Sequence, residues 1–330
     1  MYVITGGAGF IGSVLAAALD ATAPGQVVLV ADWLGSTDKW RNVAKRNLVD
    51  IVRPTDLSAY LAANRSRIEA VLHMGAISDT AERDVDRLMD LNVRYTIDLF
   101  NWCATERVRL ITASSAATYG DGRHGYDDRE DLPYLEQLQP LNPYGFSKHL
   151  VDKYMVQAEA VPPGWVSLKF FNVYGPNEYH KGRMQSVIAS AYRQILKDGH
   201  VRLFKSYKDG VDDGDQMRDF VSVKDIARVV LWMLQTPQVS GIYNLGTGKA
   251  RSFNDLARAV FRAMDKRERI DYIDMPEDIR GQYQYHTEAN MTKLWHTMDT
   301  HGTVPLEFTS LEDGVADYVQ NYLMKDDPYL

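Results

Sequence analysis

Tyr2-Val3-Ile4-Thr5-Gly6-Gly7-Ala8-Gly9-Phe10-Ile11-Gly12 opens the chain: an apolar strand runs into spaced glycines and then into the start of a helical pattern. In such a strand–turn–helix, Gly6 makes the tight turn, Gly9 lets the backbone approach a pyrophosphate, and Gly12 lets helix and strand pack closely. The free N–H groups of the helix N-terminus then face the phosphates. The motif predicts a dinucleotide site floored by Gly6, Gly9, Phe10, Ile11 and Gly12. Asp32 follows twenty residues after Gly12, where a carboxylate binds the adenosine ribose hydroxyls and favours NAD. Lys39 and Arg41 lie close behind, and bases there can hold a 2′-phosphate and favour NADP, or can be plain solvated surface charges. Trp33 sits beside the acid, and Asp50-Ile51 are read as flanking the adenine. Met74-Gly75-Ala76 form a small-residue turn after the next strand, with Asn92 on the helix beyond. Together these residues follow the path a dinucleotide takes.

Working outward, short apolar runs at 2–5, 27–31, 70–73, 109–113 and 166–171 alternate with helical patterns at 11–19, 57–64, 84–105 and 144–157. Strands alternating with helices make βαβ units and a parallel sheet. The fold class is therefore α/β: a Rossmann-type doubly wound parallel sheet, followed by a smaller α/β C-terminal substrate domain. The expected division is 1–171 for the cofactor domain and 172–330 for the substrate domain, with segments near 222–248 returning to the first. Past residue 172 the pattern loosens: helices are expected over 183–197, 223–234 and 253–264, and a glycine- and aspartate-rich loop over 210–216.

The chain has 330 residues, 45% hydrophobic and 25% charged, which suits a globular protein with a substantial core. A net charge of −7 argues against nucleic-acid or membrane-surface binding, so an anionic ligand needs a local cluster of bases. Cys103 is the single cysteine, which excludes an internal disulfide and points to a reducing compartment. The chain opens on a strand rather than a leader, and its longest apolar stretch, 226–234, carries Arg228. A cytoplasmic protein is expected.

Chemistry enters at Asn142-Pro143-Tyr144-Gly145-Phe146-Ser147-Lys148. Tyr144 and Lys148 are one helical turn apart, so phenol and ammonium share a face. A cation beside a phenol favours the phenolate, which is a base for a sugar hydroxyl. With 19 tyrosines, about one such pair arises by chance from composition. The pair gains meaning from the dinucleotide motif, which supplies a hydride acceptor, and from Ser115 in Ser114-Ser115-Ala116-Ala117-Thr118-Tyr119-Gly120, which can hydrogen-bond the oxygen that becomes a carbonyl.

With these motifs in place, the chain resembles the extended short-chain dehydrogenase/reductases, the NAD-dependent epimerase/dehydratase family. The resemblance implies that Ser115, Tyr144 and Lys148 form the catalytic set, with Lys148 also touching the cofactor. Dehydratases of the family carry an Asp-Glu pair after the serine; Ala116-Ala117 stand there, which argues against loss of water. Phe171-Asn172-Val173-Tyr174-Gly175-Pro176-Asn177-Glu178-Tyr179-His180-Lys181-Gly182 is more specific. Its His-Lys-Gly end is similar to the branch of sugar-nucleotide epimerases that invert C6 of an ADP-linked heptose for the lipopolysaccharide core. Asn244-Leu245-Gly246-Thr247-Gly248 and Arg280-Gly281-Gln282-Tyr283-Gln284 extend the likeness nearly end to end.

The resemblance implies a redox-neutral inversion with NADP held throughout. Tyr144 takes the C6 hydroxyl proton, a 6-keto sugar forms, and hydride returns to its other face. Lys181 is implied as the second base and a cofactor contact, the alternative being a phosphate-contacting or surface lysine. Asn172 is implied to touch substrate and Val173 the cofactor. Phe204, Lys205 and the residues to Tyr207 would cover the adenosine side. Tyr283 would bond the sugar nucleotide, and Arg218 would clamp its pyrophosphate unless an ion pair with Asp219 holds it. A homo-oligomer, pentameric in the resembled enzymes, is implied too.

Four ligand-facing positions depart from that branch. Arg183 stands where a serine is usual, in the implied substrate site, and Ser190 where a histidine is common. Phe204-Lys205-Ser206-Tyr207 replaces Phe-Glu-Gly-Ser, and Asp32-Trp33 replaces Asp-Asn. Two rivals remain: a UDP-hexose 4-epimerase, which needs no second base at Lys181, and a non-catalytic dinucleotide-binding scaffold, which need not keep Tyr144 and Lys148.

Overall fold

The computed structural model describes residues 1–22, 29–281 and 283–330. The start of the expected 27–31 strand and Gln282 lie outside them. The described strands are β1 (Tyr2–Thr5), β2 (Leu29–Ala31), β3 (Asp50–Val52), β4 (Ala70–His73), β5 (Arg109–Ser115), β6 (Val166–Phe170), β7 (Asn172–Tyr174), β8 (Val201–Phe204), β9 (Met217–Ser222), β10 (Gly241–Leu245), β11 (Ala250–Ser252) and β12 (Ile270–Ile273). Seven of them form one sheet in the order β10-β6-β5-β4-β1-β2-β3, every pairing parallel. The α/β, Rossmann-type doubly wound class read from the sequence is the class observed.

Alternation along the strands explains why both faces are covered. Ile4, Val30, Leu72, Ile111 and Tyr243 belong to one apolar cluster, and their neighbours Val3, Ala31, Val71, Leu110 and Ile242 to another. A period of two sends these sets to opposite faces. The helices Phe10–Thr22 and Val223–Gln235 supply Val14, Leu15, Ile226 and Val230 to the first cluster. The helices Tyr95–Thr105 and Pro143–Gln157 supply Leu99, Phe100, Val151 and Met155 to the second.

A third cluster stands apart, built from the helices Val187–Asp198, Phe253–Ala263 and Leu311–Tyr318 against β8 and β9. Its strands form the β11-β9-β7 and β12-β8 sheets. The chain crosses between these bodies repeatedly. Val223–Gln235 and β10 lie in the large sheet layer, and so does the helix Thr292–Thr300, whose Leu294 and Met298 join the first cluster.

Two local expectations change. The 84–105 helix contains a π-helical segment, Met89–Arg94, which carries Asn92. The helix expected from 183 begins at Val187, capped by Ser186. Residues Tyr179–Met184 form a separate short 3₁₀ turn broken at Gly182 (φ +54°). Glycine adopts that left-handed conformation without steric cost, which a continuous helix does not allow for.

Strand order reverses between β1 and β4, where a parallel sheet opens a crevice at its C-terminal edge. Gly6 ends β1 there with φ +61°, and a Cβ on it would fall 2.6 Å from the Gly75 Cα. The two strand ends therefore meet backbone to backbone. Gly6→Ala is expected to cost on the order of 2–4 kcal/mol and to strip the crevice of its ligand. Urea unfolding and cofactor content of the purified variant check this.

Candidate active site and cofactor cleft

The crevice is a cleft of about 380 Å³. Gly6, Gly9, Phe10, Ile11, Gly12, Asp32, Trp33, Lys39, Met74, Gly75, Ala76 and Lys181 line it, all read from the sequence as cofactor residues. His180, from the His-Lys-Gly motif, lines it too, as do Pro54, Ile77, Ser78, Arg87, Leu91 and Tyr95, which no motif marks. The Asp32 carboxylate accepts from Ala8 N (2.9 Å) and Trp33 N (2.7 Å) and pairs with Lys39 Nζ at 2.6 Å. Lys39 is thus neither a free surface base nor an isolated one.

Asp50 and Ile51 do not line the cleft. They lie within β3 itself, exposed beside Trp40 and Leu48. Asn92 is fully buried, and its side chain is spent on others. It accepts from Ile77 N (2.8 Å) and donates to Ile77 O (3.0 Å) and Ser147 Oγ (3.1 Å). It holds the cleft-lining Ile77 loop against the Pro143–Gln157 helix rather than reaching the cleft itself.

Behind the floor runs a directed chain of hydrogen bonds. Gly75 N–H donates to Thr5 Oγ1 and Thr96 Oγ1 donates to Asn92 O; between them His73 Nδ1 meets Thr5 Oγ1 at 2.6 Å and Nε2 meets Thr96 Oγ1 at 2.8 Å. The hydroxyl of Thr5 therefore donates to Nδ1, and the imidazole proton sits on Nε2. Burial, helped by Lys148, pushes His73 down to about 3. An unfolded histidine takes a proton below about 6.5, so this neutral ring loses the fold stability as pH drops through 6.5 toward 3. Between pH 7 and 5 the loss is about 2 kcal/mol, and His73→Gln is expected to remove that much of the pH dependence of the urea-unfolding free energy.

The helix Pro143–Gln157 starts where it does because Asn142 Oδ1 accepts from Gly145 N (2.8 Å) and Pro143 fits the first turn. Gly145 permits close docking: a Cβ there would lie 2.7 Å from Ala117 O, in the turn after Ser115. The structure so brings Ser115, Tyr144 and Lys148 together at the ends of β5 and this helix. Lys148 Nζ is buried and donates to Ala113 O at 2.8 Å, and burial lowers it to about 8 against the opposing pull of Asp152. Tyr144 departs from the expected easy phenolate. Burial raises it, the Ser115 hydroxyl opposes that rise, and the ammonium is committed to the Ala113 carbonyl.

Lys181 Nζ lies 5.2 Å above the Phe10 ring on the glycine turn; burial lowers it and Glu178 opposes. It lines the cofactor cleft, which Tyr144 does not. Arg183 points away from a ligand role: it is exposed and pairs with Asp79 at 2.7 Å, so its long side chain bridges to the loop after β4. Asn172 is exposed at the start of β7 and Val173 is half-buried, neither lining the cleft.

Arg218 on β9 is buried and lowered by burial, with its Cζ 5.0 Å from the Tyr283 ring and 5.7 Å from that of Phe253. Its recorded hydrogen bond goes to Met217 O (2.8 Å). No carboxylate lies within ion-pair distance among the described residues, since Asp219 is saturated by Thr247, Gly248 and Ala289. The alternative to a clamp, an Arg218–Asp219 ion pair, does not form. Phe204 and Lys205 sit at the end of β8, where Lys205 pairs with Asp274 (3.1 Å), and the Arg280 guanidinium lies 3.9 Å over the Tyr207 ring.

Residues 2–246 match the model of the NAD dependent epimerase/dehydratase family. An ADP-L-glycero-D-manno-heptose-6-epimerase of Nitratidesulfovibrio vulgaris is 51% identical and one of Fusobacterium nucleatum 48%, each over the full length of both chains. Among solved structures, the Helicobacter pylori enzyme of the same name superposes with TM-score 0.78 at 26% identity, over 97% of this chain and 95% of that one. A Thermus thermophilus UDP-glucose 4-epimerase in complex with NAD gives 0.74 at 27%, over 97% of each. No helix among the described residues is long and apolar enough to cross a membrane.

Proposed function

The chain belongs to the NAD dependent epimerase/dehydratase family, and from that we propose that it is an ADP-heptose 6-epimerase of lipopolysaccharide core synthesis. The observation that carries this reading is the agreement, end to end and near one residue in two, with relatives bearing that name. It uses a nicotinamide dinucleotide. The glycine cradle, in which any Cβ at Gly6 collides with Gly75, suits the close backbone approach a pyrophosphate needs. When bound, that cofactor supplies a reversible hydride acceptor. We favour NADP, because Lys39 neutralises Asp32 and removes the repulsion a 2′-phosphate would meet. Mass spectrometry of the cofactor released on denaturation decides between NADP and NAD.

The chain's own groups divide the work. Ser115 orients the C6 oxygen, Tyr144 takes its proton on one face, and Lys148 lends positive charge. Lys181 is the second base, reaching the opposite face by a turn at Gly182. Asn172, Phe204, Lys205 and Tyr283 line the sugar-nucleotide side, residues 1–171 with 222–248 and the helix Thr292–Thr300 form the cofactor domain, and the remainder holds the substrate. A cytoplasmic homo-oligomer, pentameric by resemblance, completes the reading. Light scattering of the eluting protein tests the assembly.

Arg218 is the pyrophosphate clamp. A buried guanidinium with no carboxylate partner among the described residues is costly by itself and suits a bidentate anion. Arg218→Met is expected to raise the KM for the sugar nucleotide about ten- to hundredfold. The melting temperature of the ligand-free protein should hold or rise, because an unpaired buried charge has gone. Steady-state kinetics beside a thermal melt separates the two effects.

The function is tested by incubating purified protein with ADP-D-glycero-D-manno-heptose and no added cofactor, following C6 configuration by NMR. Inversion is expected. Turnover of UDP-glucose or UDP-galactose in its place would replace this reading with a hexose 4-epimerase.

A further inference from the structure

Lys169 and Asp152 form an ion pair at 2.8 Å with both side chains fully excluded from solvent. Removing two charges from water is expensive, and such a pair is repaid only when every donor and acceptor is matched. Here they are. Asp152 Oδ2 accepts from Ser114 Oγ (2.8 Å) as well as from Lys169, and Oδ1 accepts from Ser167 Oγ (2.7 Å). Lys169 Nζ also donates to Thr118 Oγ1 (2.7 Å) and lies 4.6 Å over the Tyr119 ring. The Thr118 hydroxyl in turn donates to Ser115 O (2.8 Å).

Both flanks of Ser115 are therefore tied to one pair. Asp152 grips Ser114 on one side, and Lys169 reaches the Ser115 carbonyl through Thr118 on the other. Asp152 sits one turn beyond Lys148 and two beyond Tyr144 on the same helix. Lys169 lies across from Ser114 in the β5–β6 register. An apolar contact has no direction and would leave the angle between strand and helix free to drift. A saturated ion pair does not.

We propose that Asp152 and Lys169, with Thr118 as relay, are positioning residues that hold Ser115 in register with Tyr144 and Lys148 for the reaction proposed above, on which this inference rests. Asp152 has a second effect through charge. Around Lys148 stand Tyr144 and Asp152 on its own helix, neutral His73 on β4, and Lys169 behind Asp152 on β6. Of these, Asp152 is the anion that supports the ammonium. Losing it lowers the Lys148 pKa, so the cation disappears at lower pH.

The test is the near-isosteric, charge-balanced double variant Asp152→Asn/Lys169→Met, compared with wild type for melting temperature, kcat, KM and pH profile. The melting temperature is expected to stay within a few degrees. kcat is expected to fall about ten- to hundredfold with little change in KM, and the alkaline limb to move to lower pH. Wild-type kcat and an unmoved limb in a folded double variant would overturn the proposal. Should that variant not fold, Thr118→Val leaves the ion pair in place and removes only the relay. A severalfold lower kcat is expected there, and an unchanged kcat overturns the clamp. An inactive wild type refutes the function itself, whereas an active wild type with unaffected variants refutes only this inference.

Discussion

Tyr144→Phe is expected to lower kcat by on the order of 10³-fold while leaving the bound dinucleotide in place. The phenol hydrogen-bonds Ser115 and lies one turn before Lys148, at the first turn of a helix capped by Asn142. It does not line the cofactor cleft, so its hydroxyl can be removed without disturbing the glycine turn. C6 inversion by NMR and nicotinamide content by absorbance separate the two outcomes. A variant that keeps more than about a tenth of the wild-type rate would exclude Tyr144 as the base. The wild-type rate should also decline as pH rises through about 8, the value to which burial lowers Lys148, because the ammonium that supports the phenolate is then lost. In the Tyr144→Phe variant that limb has no phenolate left to report and should flatten.

Lys181→Met is expected to be the second large loss, about 10²-fold or more in kcat. Its amine is three residues from the glutamate that favours its charge and lies over Phe10, the residue at the helix N-terminus. Two roles differ in what they predict. A second base leaves cofactor retention intact and abolishes inversion. A lysine that only steadies the pyrophosphate lets the cofactor leak, and added dinucleotide then rescues the rate. Retained cofactor with unrescued activity is the expected result; rescue to near wild-type rates would reduce the site to the single base Tyr144. Because Gly182 takes a conformation other residues avoid, Gly182→Val should mimic part of the Lys181→Met loss without touching the amine.

Several parts of the site were legible before any coordinates. Glycines at 6, 9 and 12 between a strand and a helix leave little choice of fold, because few other sequences tolerate that turn. Tyr144 and Lys148 needed only helical periodicity. Arg183 shows where such reading stops. Its place after Lys181 suggested a ligand contact, but a long side chain goes where charge takes it, and Asp79, over a hundred residues away in sequence, was waiting there. Asp50 and Ile51 fall elsewhere for a simpler reason: they lie within β3 itself, beside Trp40 and Leu48, and not in the cleft beyond the strand ends.

Local physics thus settled from the sequence alone what depends on near neighbours: the strand–turn–helix, the α/β class, and the helix that puts Tyr144 and Lys148 one turn apart. Tertiary structure decided what depends on distant partners. Among the described residues it left Arg218 without a carboxylate partner, tied Lys39 to Asp32, committed Lys148 to Ala113, and buried Asp152 against Lys169. Charge and burial act through space over a few ångströms, and spacing along a chain says little about which groups folding will bring that close.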